Sequence, residues 1–187
     1  MKTTSHFIWV GLKSEAFSDM FVATNEYLRE NNIEDSVSFQ NPLSMHITLY
    51  YLWSELPTDK KQCIHKDISQ QETNYTIYAN WLDYFYKDQE KYVLYLIPKT
   101  EMYLESLRNH FHDAYRVKDI AENSFLFVPH ITLCKILMTD VFEKHRVNLE
   151  NIVQTELLKI QDTNLSEKEI RLYAVNSMFH PEIQVKV

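Results

Sequence analysis

The 187-residue sequence contains one glycine, Gly11. Glycine-rich phosphate loops such as G-x-G-x-x-G and the Walker A motif need several residues without a side chain, so neither can form here. Kinases and nucleotide-dependent dehydrogenases built on such loops are therefore disfavoured. Any phosphate recognition must come from side chains or from ordinary backbone amides.

Cysteine, excess positive charge and long apolar runs are also scarce or missing. Cys63 and Cys134 lie far apart and outside any C-x-x-C pattern, which predicts free thiols in a reducing compartment. The net charge of −7 argues against binding to long duplex nucleic acid, which needs clustered Lys and Arg. No apolar run reaches about 18 residues, and residues 1–13 do not resemble a secretory signal. We expect a cytoplasmic protein that binds no membrane, with a monomer as the default state.

The composition is that of a folded globular chain. Hydrophobic residues make up 45% of the sequence and aromatic residues 13%, enough to bury a substantial core. No linker or low-complexity run divides the chain, so we predict one domain over residues 1–187.

Local patterns predict intermixed strands and helices. In the first half we expect a strand at 7–10, a helix over 14–31, an extended stretch over 37–53 and a helix over 57–70. The next runs, 75–86 and 91–97, predict a hairpin. In the last part we expect a helix over 100–117, a strand over 125–138, a short helix from Thr139, and a closing strand pair at 156–160 and 170–178. This order favours the α+β class, with antiparallel sheets covered by helices.

One tetrapeptide, His-Ile-Thr-Leu, occurs twice, at 46–49 and 130–133, each time in an apolar run typical of a strand. Residues two apart in a strand project to the same face, so His and Thr of each motif share a face while Ile and Leu pack on the other. Either motif alone is compatible with an ordinary half-buried strand. The repetition favours a duplicated half-site.

Two such half-sites could act on one phosphodiester. Imidazole titrates near neutrality, so one histidine can accept a proton while the other donates one. Two threonine hydroxyls could hydrogen-bond the nonbridging oxygens as negative charge develops there. This scheme requires neither metal nor cofactor.

The sequence resembles the two-histidine (2H) phosphoesterase superfamily, whose hallmark is a pair of His-x-Thr/Ser motifs. The stretches 42–49 and 129–133 match its two motif patterns, and 84 residues separate the two histidines. The resemblance implies a bilobal, pseudo-twofold α+β fold with antiparallel sheets lining a central cleft and helices outside. It also implies a metal-independent enzyme acting on 2′,3′-cyclic phosphates, 2′–5′ linked oligonucleotides or cyclic oligonucleotides.

By this resemblance His46 and His130 would be the catalytic pair, and Thr48 and Thr132 would bind the substrate phosphate. In several relatives the first histidine is the acid and the second the base.

The sequence also departs from the family pattern. The chain lacks the glycine that often ends the first motif strand, and it has Lys135 where Arg is common. We expect Tyr50 and Lys135 as possible substrate contacts: Tyr50 could stack on a nucleobase, and Lys135 could supply positive charge.

Two further hypotheses stay open. The same four side chains could form a catalytically idle domain that binds a nucleotide phosphate. Alternatively, the chain could be a structural or partner-binding protein without nucleotide affinity. The substrate and the bond that is cleaved are not specified by the sequence.

Overall fold

A computed structural model describes residues 5–52, 56–100, 103–116, 127–175 and 184–186. Four α-helices lie within these ranges: α1 (Glu15–Glu30), α2 (Thr58–Ser69), α3 (Tyr103–Tyr115) and α4 (Thr139–Ile160). The strands are β1 (Ser5–Leu12), β2 (Val37–Phe39), β3 (His46–Leu52), β4 (Ile77–Lys87), β5 (Glu90–Thr100), β6 (Ile131–Ile136), β7 (Ser166–Val175) and β8 (Gln184–Lys186). Short 3-10 turns at Glu34–Ser36 and Pro42–Ser44 flank β2.

The strands form two antiparallel sheets, with one motif strand in each. The first sheet has the order β3-β1-β7-β8 and the second the order β2-β6-β5-β4. In each sheet, two further antiparallel strands therefore lie in succession on one side of the motif strand. These are β1 and then β7 beside β3, and β5 and then β4 beside β6. The two lobes repeat the same local arrangement, as the α+β, bilobal prediction required.

One face of each sheet packs on a shared apolar core. Ile8, Ile47 and Leu172 contribute from the first sheet, while Leu94, Leu96 and Ile131 contribute from the second; all are at most 1% exposed. The helices close this core from outside, for example through Phe17, Phe111 and Phe142. The opposite faces of both sheets are therefore left to line the cleft.

Several predicted elements are confirmed. The helix expected over 14–31 is α1, and the helix expected over 57–70 is α2. The predicted hairpin is β4–β5, closed by Asp88 and Gln89 with positive φ of 52° and 70°. Positive φ at both central residues is the geometry of a two-residue type I′ turn. The helix expected over 100–117 is α3, which runs from Tyr103 to Tyr115.

The last third of the chain corrects two predictions. The helix expected to be short, from Thr139, extends over 22 residues, and the strand predicted at 156–160 is its last turns. The buried residues of α4 explain the helix, because Leu149, Val153 and Leu157 recur every four residues on one face. The closing strand expected at 170–178 is β7, which begins earlier, at Ser166, and ends at Val175; residues 176–178 lie outside the described residues.

The extended stretches around the motifs are shorter than predicted. The stretch 37–53 divides into β2, a 3-10 turn and β3, and Trp53 lies outside the described residues. The second motif strand, expected over 125–138, is the shorter β6. No helix in the described parts of the chain is both long and apolar enough to cross a membrane.

Candidate active site

The two motif histidines occupy equivalent positions in the two lobes. His46 opens β3, and His130 directly precedes β6. The apolar motif residues Ile47, Leu49, Ile131 and Leu133 are all buried in the core, as the strand alternation predicted. The two motif strands β3 and β6 contact each other across the sheets, and the charge of a protonated His130 contributes to lowering the pKa of His46.

Each imidazole is held by the same hydrogen bond. His46 Nδ1 lies 2.7 Å from the carbonyl oxygen of Ser44, and His130 Nδ1 lies 2.8 Å from that of Val128, in both cases two residues upstream. A carbonyl only accepts, so Nδ1 must carry the hydrogen in both rings. In the neutral imidazole this leaves Nε2 as the lone-pair nitrogen, able to accept a proton.

Both histidines have lowered pKa values. Burial lowers the pKa of His46 to about 3. The hydrogen bond to the Ser44 carbonyl opposes this shift, and the charge of His130 adds a smaller lowering. Burial also lowers the pKa of His130, and the hydrogen bond to the Val128 carbonyl again opposes this shift. At pH 7 both rings are therefore neutral until another group supplies negative charge nearby.

A β-bulge follows the threonine of the first motif. Trp9 pairs with Thr48 and Ile8 with Tyr50, so Leu49 is the extra residue in β3. The bulge interrupts the alternation of side chains between the two faces of β3. The next residue on the same face as Thr48 is therefore Tyr51, which pairs with Phe7. The Thr48 hydroxyl hydrogen-bonds the Tyr51 hydroxyl.

The second motif has a bulge at the same position. Tyr95 pairs with Thr132 and Leu94 with Cys134, so Leu133 is the extra residue in β6. Lys135 then returns to the face of Thr132. The two bulges make Tyr51 and Lys135 counterparts, each three residues after the motif threonine.

Tyr50 lies on the other side of its sheet from the histidine. Its ring packs against the apolar core and meets His112 edge-on, with ring centroids 5.7 Å apart. The sequence expectation assumed unbroken alternation, which the bulge removes. Tyr51 takes the position on the cleft face that was expected for Tyr50. Lys135, which unbroken alternation would place on the core face, lies on the cleft face because of the second bulge.

Aromatic rings enclose both imidazoles. The ring centroids of Trp9 and Phe7 lie 4.0 Å and 5.6 Å from that of His46. Those of Phe85 and Tyr95 lie 4.8 Å and 5.5 Å from that of His130. These rings exclude water from one side of each imidazole, which accounts for the burial that lowers both pKa values.

Gln40 links the two half-sites. Its backbone N–H donates to the carbonyl of Leu133 in the second motif, at 2.7 Å. Its side-chain amide donates to Ser44, to the hydroxyl at 2.6 Å and more weakly to the carbonyl at 3.3 Å. Since the same carbonyl orients His46, Gln40 ties the position of that ring to the strand that carries Thr132.

The single glycine of the chain lies beside His46. Gly11 pairs with His46, and a Cβ on Gly11 would lie 2.4 Å from Oε2 of Glu167. Glu167 and Glu169 both form ion pairs with Arg171, which stands opposite Trp9. A larger residue at position 11 would displace the carboxylate of Glu167.

No group of three or more His, Cys, Asp or Glu side chains in the described ranges could hold a metal ion. Sequence reasoning missed Trp9, Gln40 and Tyr95, because strand pairing brings them to the motif histidines. One signal was present: in both motifs an apolar pair, Leu49-Tyr50 or Leu133-Cys134, breaks the expected alternation.

Comparison with protein-family models gives no match, and comparison with curated proteins gives none either. Solved structures do match. Escherichia coli LigT complexed with 3′-AMP is 13% identical, with a TM-score of 0.57, over 92% of this chain and 88% of LigT. A conserved Agrobacterium tumefaciens protein of unknown function, ATU0111, is 13% identical, with a TM-score of 0.58, over 99% of this chain and 85% of that protein.

A third similar structure is TT0787 of Thermus thermophilus. It is 19% identical, with a TM-score of 0.54, over 71% of this chain and 74% of TT0787. At these identities the likeness concerns the fold alone: the chain shares the α+β fold of these three proteins, with two antiparallel sheets, as the sequence predicted.

Proposed function

We propose that the chain is a phosphoesterase that cleaves a phosphodiester of a small nucleotide or oligonucleotide by paired-histidine acid/base catalysis. The substrate would be a 2′,3′-cyclic phosphate, a 2′–5′ linked oligonucleotide or a cyclic oligonucleotide. The observation that carries the proposal is the matched hydrogen bonding of His46 and His130, which leaves Nε2 of each ring as its proton-exchanging atom. LigT, which shares the fold, has been solved with 3′-AMP, and this supports a nucleotide ligand.

The lowered pKa values fit a site that becomes charged only with its substrate. An anionic phosphodiester beside the two rings would favour imidazolium and raise both pKa values. One histidine could then hold a proton for the leaving oxygen while the other stays neutral and accepts a proton from the attacking water or hydroxyl. Which histidine is acid and which is base is left to experiment.

The remaining site residues have complementary roles in this proposal. Thr48 and Thr132 would hydrogen-bond the nonbridging phosphate oxygens, since they share a face with the histidine of their own motif. Lys135 would neutralise negative charge on the phosphate, and its half-buried ammonium group has a pKa lowered by desolvation. No metal or cofactor takes part in the proposed steps.

The test is product analysis with a panel of 2′,3′-cyclic nucleotides, 2′–5′ oligoadenylate and cyclic oligonucleotides, all in chelator. We expect the wild type to cleave one class, and His46→Ala and His130→Ala to lose that activity while remaining folded. His65→Ala, which changes an exposed histidine of α2, is the matched control and should keep full activity. Full activity of either motif variant would refute the proposal.

The binding-only alternative gives a different result in the same experiment. A catalytically idle domain would bind a nucleotide through the same four side chains and release it unchanged.

We further propose that the protein acts as a cytoplasmic monomer, and light scattering in solution tests the monomeric state.

A further inference from the structure

The cleft face of the second sheet continues beyond the histidine to an exposed tryptophan. Trp81 pairs with Ile97, Asp83 with Tyr95, and Tyr95 in turn with Thr132. Directly paired residues share a face, so Trp81 and Asp83 face the same side as Thr132. The alternate residues Leu82 and Tyr84 pack against the core instead.

Trp81 is unusually accessible for a residue on this face. It is 56% exposed on β4, the edge strand of the second sheet, whereas Tyr95 beside it is 4% exposed. A large apolar ring left in water next to a phosphate-binding cleft is available for stacking. Nucleobases stack on such rings whatever their sequence, because every base has a π-face.

Asp83 adds hydrogen-bonding selectivity beside this ring. Its Oδ2 accepts from the Tyr95 hydroxyl at 3.1 Å, and its Oδ1 accepts from the backbone N–H of Tyr84 at 2.8 Å. These two bonds fix the carboxylate, and each oxygen keeps a second lone pair. A fixed carboxylate favours a base edge with neighbouring N–H donors and disfavours one with carbonyl oxygens.

We infer that Trp81 and Asp83 form a nucleobase subsite that prefers guanine for the nucleotide next to the scissile phosphate. The inference rests on the proposed function, which fixes where the phosphate lies. β4 is two strand spacings from β6, about 10 Å, a separation that one nucleotide can bridge from its phosphate to its base. Guanine presents an imino and an amino donor side by side, matching the carboxylate, whereas uracil presents one N–H between two carbonyls.

The experiment is calorimetric binding of guanosine 3′-monophosphate, uridine 3′-monophosphate and inorganic phosphate to wild type, Trp81→Leu, Trp81→Phe and Asp83→Asn. We expect Trp81→Leu to weaken both nucleotides about tenfold, within the range for stacking on one ring, and to leave phosphate binding unchanged. Trp81→Phe should recover most of the loss. Asp83→Asn should remove the preference for guanine over uracil.

Thermal melting of each variant separates misfolding from lost binding. Should Trp81→Leu fail to fold, Asp83→Asn still tests the subsite, because an unchanged preference for guanine in that variant would overturn the inference. Equal nucleotide binding by wild type and Trp81→Leu, each folded, would overturn the inference. So would light scattering that shows a wild-type dimer and a monomeric Trp81→Leu, because Trp81 would then be a contact between two copies.

Cleavage of 1-O-methylribose 2′,3′-cyclic phosphate, a cyclic diester without an aromatic ring, reports on the proposed function alone. Wild type should cleave it, and His46→Ala and His130→Ala should not. If the protein binds guanosine 3′-monophosphate through Trp81 but cleaves no diester, the result supports the subsite and refutes the proposed catalysis.

Discussion

The half-sites around His46 and His130 share their framework and differ in their surroundings. In both half-sites a buried Ile and Leu of the motif fix the strand, and Nδ1 of the histidine donates to a carbonyl two residues upstream. In both, a bulge at the motif leucine brings the residue three positions after the threonine to the cleft face. That residue is Tyr51 in one half and Lys135 in the other. Trp9 and Tyr95 likewise occupy equivalent positions opposite Thr48 and Thr132.

These differences give each half a distinct chemical character. Trp9, Phe7 and Tyr173 form a buried aromatic cluster beside His46, while the other half brings the Lys135 ammonium group and the Asp83 carboxylate to its face. The features common to both halves are those that orient imidazole and threonine. The features that vary are suited to charge neutralisation and to recognition of the rest of the ligand.

Removing either imidazole gives the largest expected effect. His46→Asn and His130→Asn should each lower kcat about 10³-fold, within the range for loss of a general acid or base. The double variant should lose little more, because residues that act as a unit are not additive. Steady-state kinetics of the three variants checks this; a double variant whose loss equals the product of the single losses would show independent sites.

The threonines test whether both halves bind the same phosphate. Thr48→Val and Thr132→Val keep the side-chain shape and remove the hydroxyl, and each should lower kcat/KM about 10²-fold. The serine variants, which keep a hydroxyl, should retain most activity. Loss from only one of the two valine variants would break the equivalence of the half-sites.

Variants of Lys135 and Tyr51 test the principal difference between the two half-sites, a cation in one and a phenol in the other. Lys135→Met should raise KM about tenfold by removing the cation, and Lys135→Arg should restore it. Tyr51→Phe, which removes only a hydroxyl bonded to Thr48, should change KM less than threefold. If Tyr51→Phe and Lys135→Met raised KM equally, the charge at Lys135 would not be what distinguishes the halves.

Gln40 tests the link between the halves. Gln40→Leu removes the amide that donates to Ser44 and should lower kcat several-fold with little change in KM. NMR should show the Nδ1 proton signal of His46 shifted and that of His130 unchanged. Since the backbone bond to Leu133 is kept, a change at His130 would show that Gln40 acts through general loosening.

The smallest expected effect concerns acid stability. Because the pKa of His46 is lowered on folding, the unfolded chain binds more protons below about pH 6.5, and the free energy of unfolding falls as pH decreases from there towards 3. His46→Asn should reduce this loss by about 1–2 kcal/mol between pH 7 and 5. Urea unfolding at both pH values measures it, with His65→Asn as the control.

Local patterns predicted most elements because their signals lie within a few residues. The buried stripe of α1 and the polar turn between β4 and β5 are examples. The end of α4 was assigned wrongly because 156–160 is a short run with three apolar residues, Leu157, Leu158 and Ile160, and the pattern of so short a run does not distinguish a helix from a strand. Packing of the amphipathic face of α4 favours the helix.

The site was predictable only in part, for the same reason. The motifs alone predict His46, Thr48, His130 and Thr132 as site residues. The bulges depend on how β1 and β5 pair with the motif strands, and the role of Gln40 depends on β2 lying beside β6. The apolar pair after each motif threonine is the one local signal of the bulges, and the pairing of β2 with β6 leaves no local signal in the sequence.

The most direct test of the paired site is a histidine NMR titration with inorganic phosphate. We predict that His46 and His130 are neutral at pH 7 with the hydrogen on Nδ1, and that one equivalent of phosphate raises the pKa of both together. A response of only one ring, saturation at two equivalents, or a hydrogen on Nε2 of either neutral ring would contradict the account.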